Sequence, residues 1–373
     1  MSARLEVDLE RIGHNARALV ALARVRGVSI TGVTKAMLGL PELAHSMLDA
    51  GVVGLADARI ENIERMREGG IRAPITLLRS PVPSEIDRVI TAADVSCNSE
   101  IATVERLSSA AVDAHRRHGV VLMVELGDLR EGLLPGDLLG AFGHCHQLPG
   151  VEVVGIGANL ACRSGIAPDD TNMTTLSDLA DALTRRFGVH LRVVTGGNSA
   201  NLTWLQSTNS VGRINDLRLG ESILLGCEPL RGLAIAGLHQ DTAALVATVV
   251  ESKRKPLQPW GERARVPFAP IGSERSTSEL GCGWQAILAV GHLDTDPAHL
   301  TPPVGVRIVG ASSDHLVVVS RCQIQLGHEV RFRPGYAAFA RAMASPYVEK
   351  LVTYAPSLAC TGANSPAEPL QNR

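Results

Sequence analysis

The sequence predicts an α/β fold in which a (β/α)8 TIM-like barrel is followed by a C-terminal β-rich domain. Eight short β-type runs alternate with helical patterns over about 200 residues, which is the size of a closed barrel. An open doubly wound sheet would need fewer strands. After Leu230 the pattern changes to strands separated by Pro- and Gly-rich turns, with little helical periodicity before Ala337. The predicted domains are a barrel over 1–230, a β-rich domain over 231–355 and a disordered tail over 356–373.

The elements follow in order along the chain. Barrel strands are expected at 28–34, 52–56, 75–79, 93–97, 120–126, 151–157, 191–197 and 217–226. Pairing of an earlier strand, at about 4–8, with the second domain is left open. The clearest helix covers 169–188, where apolar residues recur on one face and Gly188 supplies the C-terminal stop. Strands of the second domain are expected at 242–251, 285–291, 304–312, 315–320 and 329–334.

Composition excludes several classes of function. The chain has 373 residues, 45% of them hydrophobic, and a formal net charge of -2, with no Lys/Arg-rich block. This balance argues against a dedicated nucleic-acid or anionic-membrane surface. The first 20 residues are interrupted by charges, so they are neither a signal peptide nor a membrane span.

The cysteines indicate a reducing compartment. Seven cysteines are dispersed along the chain without a CxxC pair, which suits reduced thiols and predicts a cytoplasmic protein. The run His144-Cys145-His146 resembles metal ligands, but it lacks a second pair of ligands at the expected spacing. No metal site is predicted.

Lys35 ends the first barrel strand, and a helix beginning near Pro41 follows at once. Catalytic groups of such barrels lie at the C-terminal ends of strands and in the loops that follow. A lysine there faces the barrel mouth, a partly desolvated place that favours Schiff-base chemistry. The alternative is an ordinary exposed lysine at a strand-to-helix turn.

Two small-residue segments follow strands seven and eight. The first contains Gly197 and Ser199, and its free N–H groups and hydroxyl at a helix start suit a phosphate. The same residues are also good turn and N-cap formers. The second, "RLGES", supplies Arg218, Gly220, Glu221 and Ser222 at the place where barrel phosphate sites recur. A lysine and two phosphate-binding loops can hold one ligand, which we predict to be pyridoxal 5'-phosphate.

The sequence resembles the barrel-type pyridoxal-phosphate enzymes of the alanine racemase superfamily, and more closely its alanine/ornithine racemase branch. The resemblance runs from about Arg4 to Lys350. It is carried by "EVDLERIGHNA" (6–16), "GVTKA" (32–36), "LADARIENIERMR" (55–67), "LLRSP" (77–81), "VELGDLREG" (124–132), "GANLAC" (157–162), "TGGNSANL" (195–202), "INDLRLGESILLG" (214–226), "GASSDHLVV" (310–318) and "SPYVEK" (345–350). The order and spacing of these segments are together specific.

The resemblance implies a role for each matching residue. Lys35 would carry the cofactor as a Schiff base, while Ser199, with the backbone around Gly197 and from Gly220 through Glu221 to Ser222, would bind its phosphate. Arg218 would face the pyridine nitrogen, and Asn159 would lie against the ring. Arg130 would hold the substrate carboxylate or order the opposite face, Asp314 would approach from the second domain, and Tyr347 would reach the phosphate.

Arg218 bears on the type of reaction. A guanidinium keeps its protons, so the pyridine nitrogen that it faces would stay unprotonated, and the ring would be a weaker electron sink. This favours quick proton removal at Cα and return from the opposite face, which is racemisation. The other interpretation of Arg218 is a cation beside the phosphate.

The second proton carrier is left open. Alanine racemases use a tyrosine from the partner's second domain, in a loop corresponding to about 260–270 here, which contains Phe268 but no tyrosine. The remaining candidates are Tyr336, Tyr347, Tyr354, His292, Asp294 and Cys282. The branch points to ornithine, lysine or alanine as substrate, and a basic side chain could be met by Asp128, Glu131, Asp294 or Asp314.

Three functions therefore compete. An amino-acid racemase rests on Lys35, Arg218 and the two-domain length. A decarboxylase of the same barrel type normally has a carboxylate opposite the pyridine nitrogen, so Arg218 counts against it. A non-catalytic pyridoxal-phosphate-binding protein would be consistent with the missing tyrosine, but the single-domain carriers lack residues like 231–350. The resemblance also implies a head-to-tail homodimer in which the second domain completes another subunit's site.

Overall fold

The computed structural model describes residues 3–256, 260–262 and 282–353. These residues form two sheets and ten α-helices. The strands are β1 Ala3–Asp8, β2 Ser29–Val33, β3 Gly54–Asp57, β4 Ile75–Leu77, β5 Val95–Asn98, β6 His118–Val124, β7 Val151–Ala158, β8 Val193–Thr195, β9 Asp216–Leu219, β10 Ala243–Pro256, β11 Cys282–Leu288, β12 Leu300–Thr301, β13 Val306–Ala311, β14 Leu316–Ser320, β15 Glu329–Pro334 and β16 Glu349–Thr353. The helices are α1 Leu9–Arg24, α2 Pro41–Asp49, α3 Ile60–Glu68, α4 Ile86–Ala92, α5 Ile101–Asp113, α6 Leu138–His146, α7 Asp170–Phe187, α8 Asn201–Ser207, α9 Glu221–Leu225 and α10 Tyr336–Ala344. The predicted tail over 356–373, Tyr354 and most of the loop at 260–270, including Phe268, lie outside the described residues.

Strands β2 to β9 close into a parallel barrel. Neighbours follow one another in chain order, and β9 returns to β2 with Ser29 opposite Asp216 and Gly32 opposite Leu219. The carboxyl ends of all eight strands therefore open at one mouth. The expected eight-stranded barrel with a C-terminal β-rich domain is confirmed.

The last barrel strand is shorter than predicted. The expectation of a strand over 217–226 is wrong beyond Leu219, because Glu221–Leu225 form α9 and Gly226 ends it in the left-handed conformation. The side chains of Ser222 to Leu225 are all buried. A short apolar run buried on every side has no periodicity that distinguishes a strand from a helix.

The second sheet is mostly antiparallel, and it includes the start of the chain. Its order is β12-β15-β10-β11-β14-β13. Strand β1 pairs antiparallel with β10, placing Leu5 opposite Leu245, and parallel with β16. The chain thus begins in the second sheet and then enters the barrel through α1.

Local capping explains the best-predicted helix. Asp169 accepts a hydrogen bond from the backbone N–H of Asn172 at 2.9 Å, and the Asn172 side chain accepts one from the Asp169 N–H at 3.0 Å. Gly188, with φ of 68°, ends α7 in the left-handed conformation as expected.

None of the helices in the described part of the chain is both long and apolar enough to cross a membrane.

The second domain reaches the barrel mouth through α10. This helix packs against the short 3-10 turn Lys35–Met37 that follows β2. Its buried residues Ala338 and Phe339 join the same hydrophobic core as Met37. The packing fixes the first residue of α10, Tyr336, close to the turn that carries Lys35.

Candidate active site

Lys35 lies at the mouth of the barrel, on a turn. Strand β2 ends at Val33, and Lys35 begins a single 3-10 turn closed by Leu38 in the left-handed conformation, with φ of 55°. The side chain lines a cavity of about 780 Å³. It is exposed in this chain, so the expected partial desolvation is not found, and it forms no hydrogen bond or ion pair with the described residues.

The backbone beside Lys35 is anchored to a buried carboxylate. Thr34 Oγ1 donates to Asp57 Oδ2 at 2.7 Å, and Asp57 Oδ1 accepts from Asn62 Nδ2 at 2.9 Å and from the Arg59 N–H at 3.0 Å. Burial raises the pKa of Asp57, while these hydrogen bonds oppose that change. Asp57 thereby holds Thr34, and with it the start of the turn.

Two hydroxyls meet behind the loops after β8 and β9. Ser199 Oγ lies 3.0 Å from Ser222 Oγ and accepts from the Ser222 N–H at 3.2 Å. Both residues are buried. Gly197 has a φ of 146°, and a Cβ there would come within 2.2 Å of Asn201 Oδ1, so the close turn requires glycine. Ser199 and Gly220 line the cavity, whereas Gly197 and Ser222 do not.

Arg218 forms part of the cavity wall. Its guanidinium donates from Nη1 to Thr195 Oγ1 at 2.5 Å and from Nη2 to the Ala158 carbonyl at 2.7 Å. Two residues earlier, burial raises the pKa of Asp216, although hydrogen bonds from Thr195 and Thr31 and the charge of Arg218 favour its ionised form. The guanidinium is thus held at the ends of three strands.

Asn159 lines the cavity next to the loop after β8. Its Oδ1 accepts from Asn198 Nδ2 at 3.1 Å, and the same Nδ2 donates to the Leu160 carbonyl at 2.8 Å. The Asn159 Nδ2 is buried and has no hydrogen-bond partner among the described residues. A donor left in this way is available to a ligand.

Arg130 lies on the exposed rim of the cavity. Its guanidinium forms an ion pair with the neighbouring Glu131, which also lines the cavity. The hydrogen bond to Glu131 is the main reason that the pKa of Arg130 is raised. The Arg130 N–H donates to Glu125 Oε2 at 3.2 Å. The predicted substrate-binding arginine is therefore at the cavity, but it is engaged by its neighbour.

Glu221 and Tyr336 both contribute side chains to the cavity. Glu221 is half-buried, and burial raises its pKa to about 7 against the opposing effect of Lys35. Burial raises the pKa of Tyr336 well above its usual range, and the charge of Glu221 adds to that. The sequence predicts that Glu221 contacts the phosphate only through its backbone, whereas the structure also places its side chain at the cavity.

Two predicted residues are not brought to this cavity. Asp314 is exposed in the turn between β13 and β14, where it accepts from Ser313 Oγ at 2.8 Å. Tyr347 is 78% exposed and does not line the cavity, so the tyrosine there is Tyr336 instead. The remaining candidate proton carriers His292 and Asp294 lie outside the lining too.

Several lining residues were missed by sequence reasoning. They are Arg79, Ser80, Cys97 and Cys162. Each lies at or just after the carboxyl end of a barrel strand, which is the signal that could have found them. Burial raises the pKa of Cys97 to about 11, so this thiol stays protonated at neutral pH.

The His144-Cys145-His146 run does not form a metal centre in the described structure. His144 Nε2 lies 2.7 Å from Glu105 Oε1, and the His146 ring stacks on Phe142 at 5.6 Å between centroids. Cys145 is buried. Within residues 3–256, 260–262 and 282–353, no three His, Cys, Asp or Glu side chains converge on a common point that could hold a metal ion.

Comparison with known proteins agrees with this architecture. The model of the family described as alanine racemase, N-terminal domain, matches residues 7–229. An ornithine racemase from Acetoanaerobium sticklandii is 34% identical over 355 residues, covering 94% of this chain and 99% of the relative. A lysine racemase from Thermotoga maritima is 35% identical over 358 residues, covering 95% and 99%. Among solved structures, an alanine racemase from Streptomyces coelicolor A3(2) has the same fold, with a TM-score of 0.73 at 19% identity over 94% of this chain and 98% of that chain.

A closed parallel barrel followed by a second β-rich domain is the fold of the solved alanine racemases. The chain belongs to the alanine racemase family. The predicted enzyme class, an amino-acid racemase among the isomerases, is confirmed by these relationships.

Proposed function

We propose that the protein racemises a free amino acid with pyridoxal 5'-phosphate as cofactor, and that ornithine, lysine and alanine are its candidate substrates. The observation that carries the proposal is the Lys35 amine, which enters the same cavity as Ser199 and Arg218 and has no partner among the described residues. Lys35 is also the only lysine in the sequence before Lys253. The relatives named for ornithine and lysine racemisation span nearly the whole chain and support these two substrates.

The side chains around the cavity fit this cofactor. An unpaired amine suits its aldehyde. The hydroxyl pair of Ser199 and Ser222, with the backbone from Gly220, suits a phosphate. The buried Nδ2 of Asn159 has a hydrogen bond to donate, and the Arg218 guanidinium is held rigidly in the wall of the cavity.

Each of these groups has a task in racemisation. Pyridoxal phosphate, when bound to the amino acid, withdraws electrons from Cα and makes its hydrogen acidic. Lys35, released from the cofactor by the substrate amine, would remove or return the proton at Cα on its own face. The guanidinium of Arg218 would face the ring nitrogen and leave it unprotonated, since a guanidinium has only hydrogen-bond donors. Arg130 would bind the substrate carboxylate through Nη1, since its Nε and Nη2 are engaged by Glu131.

Racemisation and its competitors give different products. Holoenzyme is incubated in deuterium oxide with single enantiomers of ornithine, lysine, alanine and serine, and the products are separated by chiral chromatography. Loss of optical purity with deuterium at Cα is expected for at least one amino acid. Release of carbon dioxide and the corresponding amine would identify a decarboxylase instead, and bound cofactor without either change would identify a carrier.

The role of Lys35 is tested separately. Borohydride reduction should attach the cofactor irreversibly to the peptide containing Lys35, as read by mass spectrometry. Lys35→Ala should abolish attachment, whereas Lys253→Ala, in which a lysine paired with Glu251 at 3.1 Å is lost, should keep it. Attachment that survives in Lys35→Ala would overturn the site assignment.

We also infer a head-to-tail homodimer in which the second domain of each copy completes the cavity of the other. Asp314 and Tyr347 support this arrangement, because both are exposed and lie outside the cavity lining of their own chain. Light scattering should give the mass of a dimer. Mixing inactive Lys35→Ala with inactive Asp314→Ala should restore part of the activity, since one site of each mixed dimer is intact. A monomer, or mixing without recovery, would contradict the inference.

We further infer a cytoplasmic location, which the free thiols of the described cysteines support. These are Cys97, Cys145, Cys162, Cys227 and Cys322. Cytosolic proteins keep such thiols reduced. Cell fractionation with an antibody to the chain should find it in the cytosolic fraction, and recovery outside that fraction would refute the location.

A further inference from the structure

The carboxylate of Glu221 is an unsatisfied charge in the cavity wall. Glu221 is the first residue of α9 and half-buried, and it makes no hydrogen bond or ion pair with the described residues. Lys35 and His299 exert favourable electrostatic effects on it, while Glu228 exerts an unfavourable one. Glu228 itself is satisfied, since it accepts from the backbone N–H groups of Leu230 at 2.8 Å and Arg231 at 2.9 Å.

The other acids that could recognise a basic side chain are already engaged. Glu131 is paired with Arg130. Asp128 is buried and accepts from the N–H groups of Arg163 at 3.0 Å and Ser164 at 2.9 Å. Outside the cavity, Asp294 accepts from the Gly291 N–H and from Ser345 Oγ, both at 3.1 Å, and Asp314 accepts from Ser313. Among the described acids lining the cavity, Glu221 is left without a partner.

A half-buried carboxylate of this kind is stabilised by a cation. Burial is the main cause that raises its pKa to about 7, so part of its charge is lost near neutral pH. Of the two cations that favour the charged form of Glu221, Lys35 has the larger effect, but its amine is committed to the cofactor in the proposed function. The cation that completes the site must then come with the ligand. A cavity of about 780 Å³ accommodates a cofactor together with an elongated amino acid.

We propose that Glu221 binds the side-chain ammonium of a basic amino acid and gives the enzyme a preference for ornithine or lysine over amino acids with uncharged side chains. This inference rests on the proposed racemase function and names the residue that selects its substrate class. A charge-assisted hydrogen bond of this type corresponds to about a tenfold to hundredfold difference in affinity.

Binding without turnover gives the first test. 5-Aminopentanoate is ornithine without its α-amine, and pentanoate also lacks the terminal ammonium. Calorimetry on the wild-type holoenzyme should show that 5-aminopentanoate binds at least about tenfold more tightly than pentanoate. Glu221→Gln should abolish that difference. The matched control is Glu131→Gln, which removes the other lining carboxylate and should preserve the ratio of the two dissociation constants.

Turnover gives the second test. The ratio of kcat/KM for ornithine to kcat/KM for norvaline, which has the same chain length without the terminal amine, should fall at least tenfold in Glu221→Gln. Glu221→Asp should retain part of the preference. An unchanged ratio in Glu221→Gln would overturn the role of Glu221 while leaving the racemase function intact. Failure of the wild-type enzyme to racemise any amino acid would overturn both.

Discussion

The hydroxyls of Ser199 and Ser222 lie 3.0 Å apart, although 23 residues separate them in the chain. The barrel brings them together because the strands that precede them, β8 and β9, are neighbours whose carboxyl ends open at the same mouth. Each hydroxyl is positioned by the other. A phosphate would replace this contact with stronger, charge-assisted hydrogen bonds.

Loss of the Ser199 hydroxyl should weaken cofactor binding through the phosphate. We expect Ser199→Ala to raise the dissociation constant of pyridoxal phosphate about tenfold, as one charge-assisted hydrogen bond is lost. Pyridoxal, which has no phosphate, is the matched control, and its dissociation constant should change little. Fluorescence titration of the protein without cofactor measures both. Equal weakening of the two ligands would show that the serine does not act on the phosphate.

The two described tyrosines should respond differently to loss of the hydroxyl. Tyr336 lines the cavity, whereas Tyr347 is 78% exposed and lies outside it. Tyr336→Phe should reduce kcat/KM for racemisation by about tenfold or more, the effect of one hydrogen bond in a site of this kind. Tyr347→Phe, made and assayed in parallel, should have the smaller effect. The reverse order would favour the original assignment of Tyr347.

Glu221 should make the cofactor-free protein less stable as the pH rises. Its pKa is 4.5 when unfolded and about 7 in the fold, so between these values the folded state binds more protons than the unfolded state. Stability therefore falls as the pH rises from 4.5 to 7, by at most about 3 kcal/mol before screening of the partly exposed carboxyl. Urea denaturation of Glu221→Gln should not show this fall in the free energy of unfolding between pH 4.5 and 7. Parallel pH profiles for the variant and wild type would contradict the raised pKa.

His118 should cause a loss of stability in mild acid. Its ring is buried, lies 2.8 Å from Ser96 Oγ, and burial lowers its pKa to about 4. Because the unfolded state takes up a proton near pH 6.5 and the folded state does not, the stability present above pH 6.5 falls as the pH drops towards 4, by about 3 kcal/mol. His118→Gln should flatten the denaturation profile in that interval. The exposed His190→Gln is the control, and an equal effect there would refute the prediction.

The position of Lys35 could be predicted from the sequence because two local signals coincide there. An apolar β-type run ends just before it, and a helix begins at Pro41, so the lysine had to lie at a strand end. The loops at Ser199 and at Gly220 were found in the same way, from small residues after strands. The error over residues 220–226 arose where burial on all sides removed the periodic signal.

The sequence by itself determined the alternation of strands and helices, the lysine and the phosphate-type loops at strand ends, because these depend on neighbours in the chain. Tertiary structure alone decided which tyrosine enters the cavity, since α10 packs on the turn at Lys35 and turns Tyr336 inwards while leaving Tyr347 at the surface. It also decided which carboxylate remains unpaired. Asp128 is satisfied by the N–H groups of Arg163 and Ser164, which are distant in the chain, whereas Glu221 has no such partner. Such partnerships depend on distances across the fold, which no local pattern of residues records.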